Sequence, residues 1–211
     1  AILVPRLLEN GHEVTVLDLF PHRQLSLLGA LESPRLRLVL GDICEAALLK
    51  EEMAKADAVF NLAALVGAPL CDRFPARAQA VNRDAVETIC SLLRPGQRLL
   101  YPCTNSGYGV GEKDLFCTEE SALRPVSLYG RTKVEAEAMV RRAGGVSLRL
   151  ATLFGISPRM RLDLLVNDFT FRALRDRSIL LFEGHFKRNF LHVRDAASAF
   201  LFALENYDRM G

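Results

Sequence analysis

An α/β fold built on a doubly wound parallel sheet is the class this sequence predicts, and three observations carry the prediction. Short apolar strands alternate with helical stretches from Glu13 to Leu150, the pattern of parallel strands joined by helical crossovers. The segment Ala58–Leu62 is apolar on both faces, as a strand covered by helices on two sides must be. Glu13–Leu19 closes next to an acidic residue, Asp18, and Leu36–Leu40 runs into another, Asp42.

The elements follow in order. Ala1–Gly11 is an amphipathic helical stretch stopped by a glycine, with no cap, strand or turn ahead of it. The sheet is therefore expected to lack its first strand, and the chain to begin inside a helix. Strands are expected at Glu13–Leu19, Leu36–Leu40 and Ala58–Leu62, with a helix at Glu45–Lys55. A helix from about Ala76 to Leu93, a strand at Arg98–Pro102, a helix from Tyr129 to Arg142 and a strand at Val146–Leu150 continue the alternation. Beyond Phe154 the pattern loosens into a helix at Asp163–Leu174, a short strand at Ser178–Leu181 and a helix at Asp195–Leu204. Residues 1–153 are expected to form one domain and 154–211 part of a second.

Composition narrows the function. The 211 residues are 50% hydrophobic and carry a net charge of +2 with both signs scattered, so a real core is affordable and no basic stripe marks a nucleic-acid binder. No apolar run reaches the length of a membrane span and no signal segment opens the chain, which makes the cytoplasm the expected location and a membrane partner unexpected. Five cysteines, an odd number with no C-x-x-C spacing, are expected to be reduced and mostly buried. His12, His22, His185 and His192 lack metal-ligand spacing, so no metal is expected.

The chemistry concentrates at Tyr129-Gly-Arg-Thr-Lys133. Residues four apart on a helix share a face, so the Lys133 charge lies where it favours the ionised form of the Tyr129 phenol. A tyrosine that ordinarily titrates near pH 10 becomes a usable base beside such a cation. Thr104 supplies a hydroxyl at a strand end upstream. Asp18 ends its strand in Val-Thr-Val-Leu-Asp, where dinucleotide-binding sheets place a carboxylate that accepts from the adenosine ribose hydroxyls and opposes the extra phosphate of NADP; a turn or cap aspartate is the alternative. Asp42 and Ile43 end the next strand, at the adenine edge. Leu62, Ala63 and Ala64, after Asn61, close the third strand with mostly small residues that let a cofactor approach the backbone.

Taken together, V-L-D, G-D-I, N-L-A-A, A-V-N-R-D-A, P-C-T-N-S-G-Y-G, S-L-Y-G-R-T-K and R-N-F-L-H-V-R-D make the chain resemble the extended short-chain dehydrogenase/reductase family, the NAD-dependent sugar-nucleotide epimerases and dehydratases. The resemblance implies a Rossmann-like domain whose glycine turn is missing here, NAD as cofactor and a nucleotide-diphosphate sugar as substrate. It implies Tyr129 as proton acceptor and donor, and Lys133 as the holder of the nicotinamide ribose. Thr104 falls where the family bonds the reacting sugar oxygen, and Asn82 where it supports the cofactor side. Arg188 and Asn167 match family positions on the nucleotide diphosphate. His192 is read as packed and Asp195 as the cap of the helix that follows. A homodimer is expected for the complete protein.

The expected activity is epimerisation of the sugar, at C4, through a keto intermediate. A 4,6-dehydratase or keto-sugar reductase is the enzymatic alternative, and a nucleotide-binding protein without turnover is the alternative from another class. Dehydratases place Asp and Glu directly after the threonine, whereas this chain has Asn105 and Ser106.

Overall fold

The computed structural model describes residues 1–21, 26–110, 116–182, 184, 185 and 187–210; His22 and Arg23 lie outside the described residues. Helix α1 (Leu3–Glu9) leads into β1 (Val14–Asp18), β2 (Leu36–Leu40), α2 (Ala46–Met53) and β3 (Ala58–Phe60). Two short helices, α3 (Ala68–Arg73) and α4 (Pro75–Gln79), precede a π-helical turn at Ala80–Asp84 and α5 (Ala85–Leu92). Strand β4 (Arg98–Thr104), a 3₁₀ turn at Asn105–Tyr108, α6 (Leu128–Arg142) and β5 (Val146–Leu150) follow. The rest comprises β6 (Thr152–Phe154), α7 (Leu165–Arg175), β7 (Phe190–His192), α8 (Val193–Glu205) and α9 (Tyr207–Met210).

Strands β3, β4 and β5 form one sheet in that order, β1 and β2 a second, and β6 and β7 a third. The β3–β4 and β6–β7 pairs are parallel. In the β1–β2 pair the Val14 N–H bonds the Arg35 carbonyl at the start and the Gly41 N–H bonds the Asp18 carbonyl at the end, which is also the parallel sense. The α/β class with parallel strands is as expected from the sequence. Among the described residues β3 has β4 on one side and no ladder partner on the other, and such an edge templates association. These 211 residues expressed alone are therefore expected to aggregate or to bind NAD poorly. Cooperative unfolding of soluble material with micromolar NAD affinity would overturn this.

The chain divides into two compact units, Leu17–Leu19 with Val39–Arg149 and Ala203–Gly211, and Ala1–Val16 with Phe20–Leu38 and Leu150–Phe202. The core of the first lies between the β4 sheet and its helices. Leu99, Tyr101 and Cys103 of β4 pack with Val86 and Ile89 of α5 and Ala136 and Val140 of α6, all nearly inaccessible to solvent. In the second unit His192 lies edge-on to Phe154, with ring centroids 5.3 Å apart. Gly155 sits beside that pair at φ 114°, where a β-carbon would collide with the imidazole, so only glycine fits.

Four expectations need correction. Ser178–Leu181 forms no strand; its Leu180 and Leu181 are 71% and 64% exposed, and β-propensity without a partner strand does not hold an extended ladder. The stretch from Ala76 to Leu93 is not one α-helix, because the π turn at Ala80–Asp84 divides it. Asp195 does not cap α8 but lies in its first turn; the Arg194 N–H donates instead to Nδ1 of His192. The cysteines are all free, but Cys44 and Cys117 are exposed while Cys71 and Cys103 are buried. No helix among the described residues is long and apolar enough to cross a membrane.

Candidate active site

Helix α6 begins where its sequence allows. Ser127 caps it, accepting from the Gly130 N–H at 3.0 Å, and Arg141 and Arg142 occupy the last turn, where cations complement the helix dipole. The helix is stopped beyond its C-cap Ala143 by Gly144, with φ 79°, and the Gly145 N–H closes back on the Val140 carbonyl, a C-terminal cap that needs a left-handed residue. Within α6, Tyr129 is half-buried and Lys133, on the same face one turn on, is only 3% exposed.

The Lys133 side chain ends over an aromatic ring. Its Nζ stands 3.9 Å from the ring centroid of Tyr101. Burial pushes the Lys133 ammonium down to about 8, against the opposing influence of Cys103 and Glu137. The same burial pushes the Cys103 thiol up to about 11 and the Tyr101 phenol far above its usual range, so both stay protonated at neutral pH.

Thr104 ends β4 with its side chain buried, and its oxygen accepts from the Ser106 N–H at 3.2 Å. The turn that follows is pressed against the start of α6. A methyl group on Gly130 would come within 3.2 Å of the Ser106 carbonyl oxygen and 3.0 Å of Pro125. Gly109, at φ 71°, faces the Arg124 carbonyl where a β-carbon has no room, and the Arg124 N–H bonds the Gly107 carbonyl. Gly130 thus lets the turn after Thr104 approach the Tyr129 helix at its backbone, and Gly109 lets the same turn close on Arg124 ahead of that helix.

Asn82 lies in the π turn, 1% exposed. Its carboxamide oxygen accepts from the Leu65 N–H at 2.8 Å, and its nitrogen donates to the Leu65 carbonyl at 3.0 Å. This pins the segment after β3, in which Leu62 is exposed and Ala63 and Ala64 are half-buried. Asn61, at the head of that segment, is 4% exposed, and its side-chain nitrogen has no hydrogen-bond acceptor among the described residues. A buried amide donor without a partner is costly in an otherwise satisfied interior.

Asp42 is held locally. Partial burial pushes its carboxyl up, but the Cys44 N–H and the Arg77 guanidinium, at 2.9 and 2.6 Å, outweigh this and leave it below the usual range. Ile43 turns into the core cluster. Asp18 is exposed at the end of β1. All of these residues belong to the unit that contains β4 and α6; Asn167 and Arg188 belong to the other. There Asn167 is buried, accepting from the Gly155 N–H and donating to the Arg161 carbonyl, both at 3.0 Å. Arg188 is exposed.

Sequence reasoning missed a network behind the site. Arg149 of β5 meets both carboxylate oxygens of Glu137 through Nε at 3.0 and 2.9 Å. It also donates to the Tyr108 hydroxyl at 3.1 Å and to the Glu119 carbonyl at 2.9 Å. Ser147 donates to the same carboxylate at 2.8 Å. Glu137 follows Lys133 at the same four-residue spacing by which Lys133 follows Tyr129, a signal that could have drawn attention to it. Tyr101 carried no signal beyond its place in an apolar strand. Among the described residues no group of three or more His, Cys, Asp or Glu is arranged to hold a metal ion.

Comparison with known proteins gives a consistent result. A family model described as the NAD dependent epimerase/dehydratase family matches residues 1–211. UDP-glucuronate 4-epimerase 3 of Arabidopsis thaliana is 27% identical over 194 residues, covering 85% of this chain and 45% of that protein. A 3-beta-hydroxysteroid dehydrogenase of Mycolicibacterium neoaurum is 34% identical over 157 residues, covering 69% of this chain and 40% of that protein. Among solved structures, a dTDP-glucose 4,6-dehydratase from Streptomyces venezuelae with NAD bound superposes with a TM-score of 0.83 at 25% identity, covering 96% of this chain and 67% of that one. The chain therefore spans less than half the length of these curated relatives.

Proposed function

Since this chain belongs to the NAD-dependent epimerase/dehydratase family, we propose that it carries the cofactor-binding and proton-transfer machinery of a sugar-nucleotide 4-epimerase. In this reading residues 1–153 are the NAD-binding Rossmann-like domain and 154–211 part of the region that holds a nucleotide-diphosphate sugar. The full-length gene product works as a cytoplasmic homodimer.

The described residues fit the cofactor. Lys133 is buried with its ammonium over the Tyr101 ring, and Asn61 is a buried amide whose nitrogen has no hydrogen-bond acceptor among the described residues. Both are donors, and ribose hydroxyls and a carboxamide offer acceptors. Asp18 would hold the adenosine ribose, Asp42 and Ile43 would border the adenine, and the Leu62–Ala64 segment, pinned by Asn82, would leave room for close approach. NAD, when bound, supplies the hydride acceptor and donor. Tyr129 takes the proton from the sugar hydroxyl and later returns it. Lys133 favours the phenolate by its charge, and Thr104 donates its hydroxyl hydrogen to the same sugar oxygen. Asn167 and Arg188 would meet the diphosphate, Arg188 through its planar fork.

Asp18 gives a cofactor preference. A carboxylate at that strand end repels the 2′-phosphate of NADP, so the full-length gene product is expected to bind NAD more tightly than NADP, and Asp18→Ala to narrow the difference. Equal affinities, unchanged in the variant, would remove Asp18 from the site.

The observation that carries epimerase over dehydratase is Asn105-Ser106 directly after Thr104. Expelling water across C5 and C6 needs one group to take the C5 proton and another to protonate the leaving hydroxyl. An amide delivers no proton as a carboxylic acid does, and an unassisted serine is a poor base. The likeness to the Streptomyces dehydratase favours the second reading, a 4,6-dehydratase. Turnover of UDP- and dTDP-hexoses by the full-length gene product in deuterated water separates them. The expected product keeps every hydroxyl and is inverted at C4; deuterium at C5 or C6 with loss of a water mass would reject the epimerase.

A further inference from the structure

We infer that Tyr101 is a positioning residue for this site, its buried ring forming the seat that holds the Lys133 ammonium in place. The inference rests on the proton-transfer role proposed above for Tyr129 and Lys133.

Tyr101 lies in the middle of β4 with no exposed surface, and Lys133 is 3% exposed on the helix that packs over it. The ammonium sits 3.9 Å from the ring centroid, well inside the range in which the negative face of an aromatic quadrupole attracts a cation. The ring is fixed from two directions. It is enclosed by the β4–α5–α6 core, and its hydroxyl reaches the backbone carbonyl of Lys133 itself at 3.5 Å. Side chain and main chain of one lysine therefore rest on one tyrosine.

The usual partners of a buried cation are engaged elsewhere. Glu137, one turn further along α6, is committed to Arg149 and Ser147. Cys103, the other titratable neighbour on β4, is a thiol whose hydrogen points to the Lys133 carbonyl at 3.6 Å. A carboxylate in the seat would accept the ammonium's hydrogens and hold them. An aromatic face attracts the charge without occupying all three donors, so hydrogens remain for a ribose hydroxyl and for the neighbourhood of the Tyr129 oxygen. That division lets one lysine serve both the cofactor and the base.

The test uses the full-length gene product with NAD bound. With ¹³C at the lysine ε-carbons, a methylene stacked on an aromatic face resonates upfield of the other lysines. One such signal is expected in the parent protein and in Tyr101→Phe, which keeps the ring and loses only the hydroxyl. Turnover of UDP-glucuronic acid or UDP-glucose should change by less than about twofold in Tyr101→Phe, and fall by about tenfold or more when pentafluorophenylalanine replaces Tyr101, because fluorination reverses the quadrupole while keeping the ring. A ring that acted only as core filler would be insensitive to that reversal. Absence of an upfield lysine signal, or equal turnover by the Phe and pentafluorophenylalanine forms, would overturn the inference. If the parent turns over neither sugar nucleotide, the proposed epimerase activity fails on its own, and the lysine signal alone decides the seat.

Discussion

Tyr129→Phe is expected to lower turnover by the full-length gene product by roughly a hundredfold to ten-thousandfold, the range that loss of general acid–base help typically produces. The substitution removes one oxygen and keeps the half-buried ring, so α6, its Ser127 cap and the Lys133 seat should be undisturbed. Affinity for NAD and for the sugar nucleotide should then hold while kcat and kcat/KM fall together, the pattern of an interaction made in the transition state. Steady-state kinetics with binding measured separately by calorimetry checks this. A Phe variant working at the parent rate would refute the assignment of Tyr129 as the proton carrier.

The second large effect concerns folding. Arg149 and Glu137 are paired with side-chain exposures of only 11% and 5%. Arg149→Met would leave the Glu137 carboxylate in the interior with Ser147 as its remaining hydrogen-bond partner among the described residues, and would also free the Tyr108 hydroxyl and the Glu119 carbonyl from their donor. Breaking a buried pair from one side typically costs about 3–5 kcal/mol, because an uncompensated charge stays behind. Replacing both partners with methionine removes that charge, so the double variant should recover much of the loss. Urea unfolding of the parent, the single and the double variant measures both numbers. A single variant within about 0.5 kcal/mol of the parent, the scatter of ordinary surface changes, would show that the pair contributes little.

What could be read from the sequence was whatever repeats locally. Alternation of strands and helices gave the parallel α/β class, and the four-residue spacing in α6 put Tyr129 and Lys133 on one face, because both follow from backbone periodicity. The failures share a different cause. Ser178–Leu181 looked like a strand, but strand formation depends on a partner that composition does not reveal. The π turn at Ala80–Asp84 was invisible because residue propensities do not separate a π turn from the α-helix around it, and the bonds of Asn82 inside it reach Leu65, seventeen residues away in sequence. The Arg77 guanidinium that meets the Asp42 carboxylate lies 35 residues away in sequence and could not be read from the strand end. Tyr101, Glu137 and Arg149 went unnoticed for the same reason: they act across elements, and only packing brings β4, β5 and α6 together.

The π turn carries one more consequence. Single π turns inside α-helices are rare and recur at functional sites. Asn82 sits in that turn and is the residue that grips Leu65. The loop after β3 is thus held from inside a helix that it does not adjoin in the chain. Its position is inherited from a residue seventeen places further along the sequence, so a change that slid the register of this helix would move the loop with it.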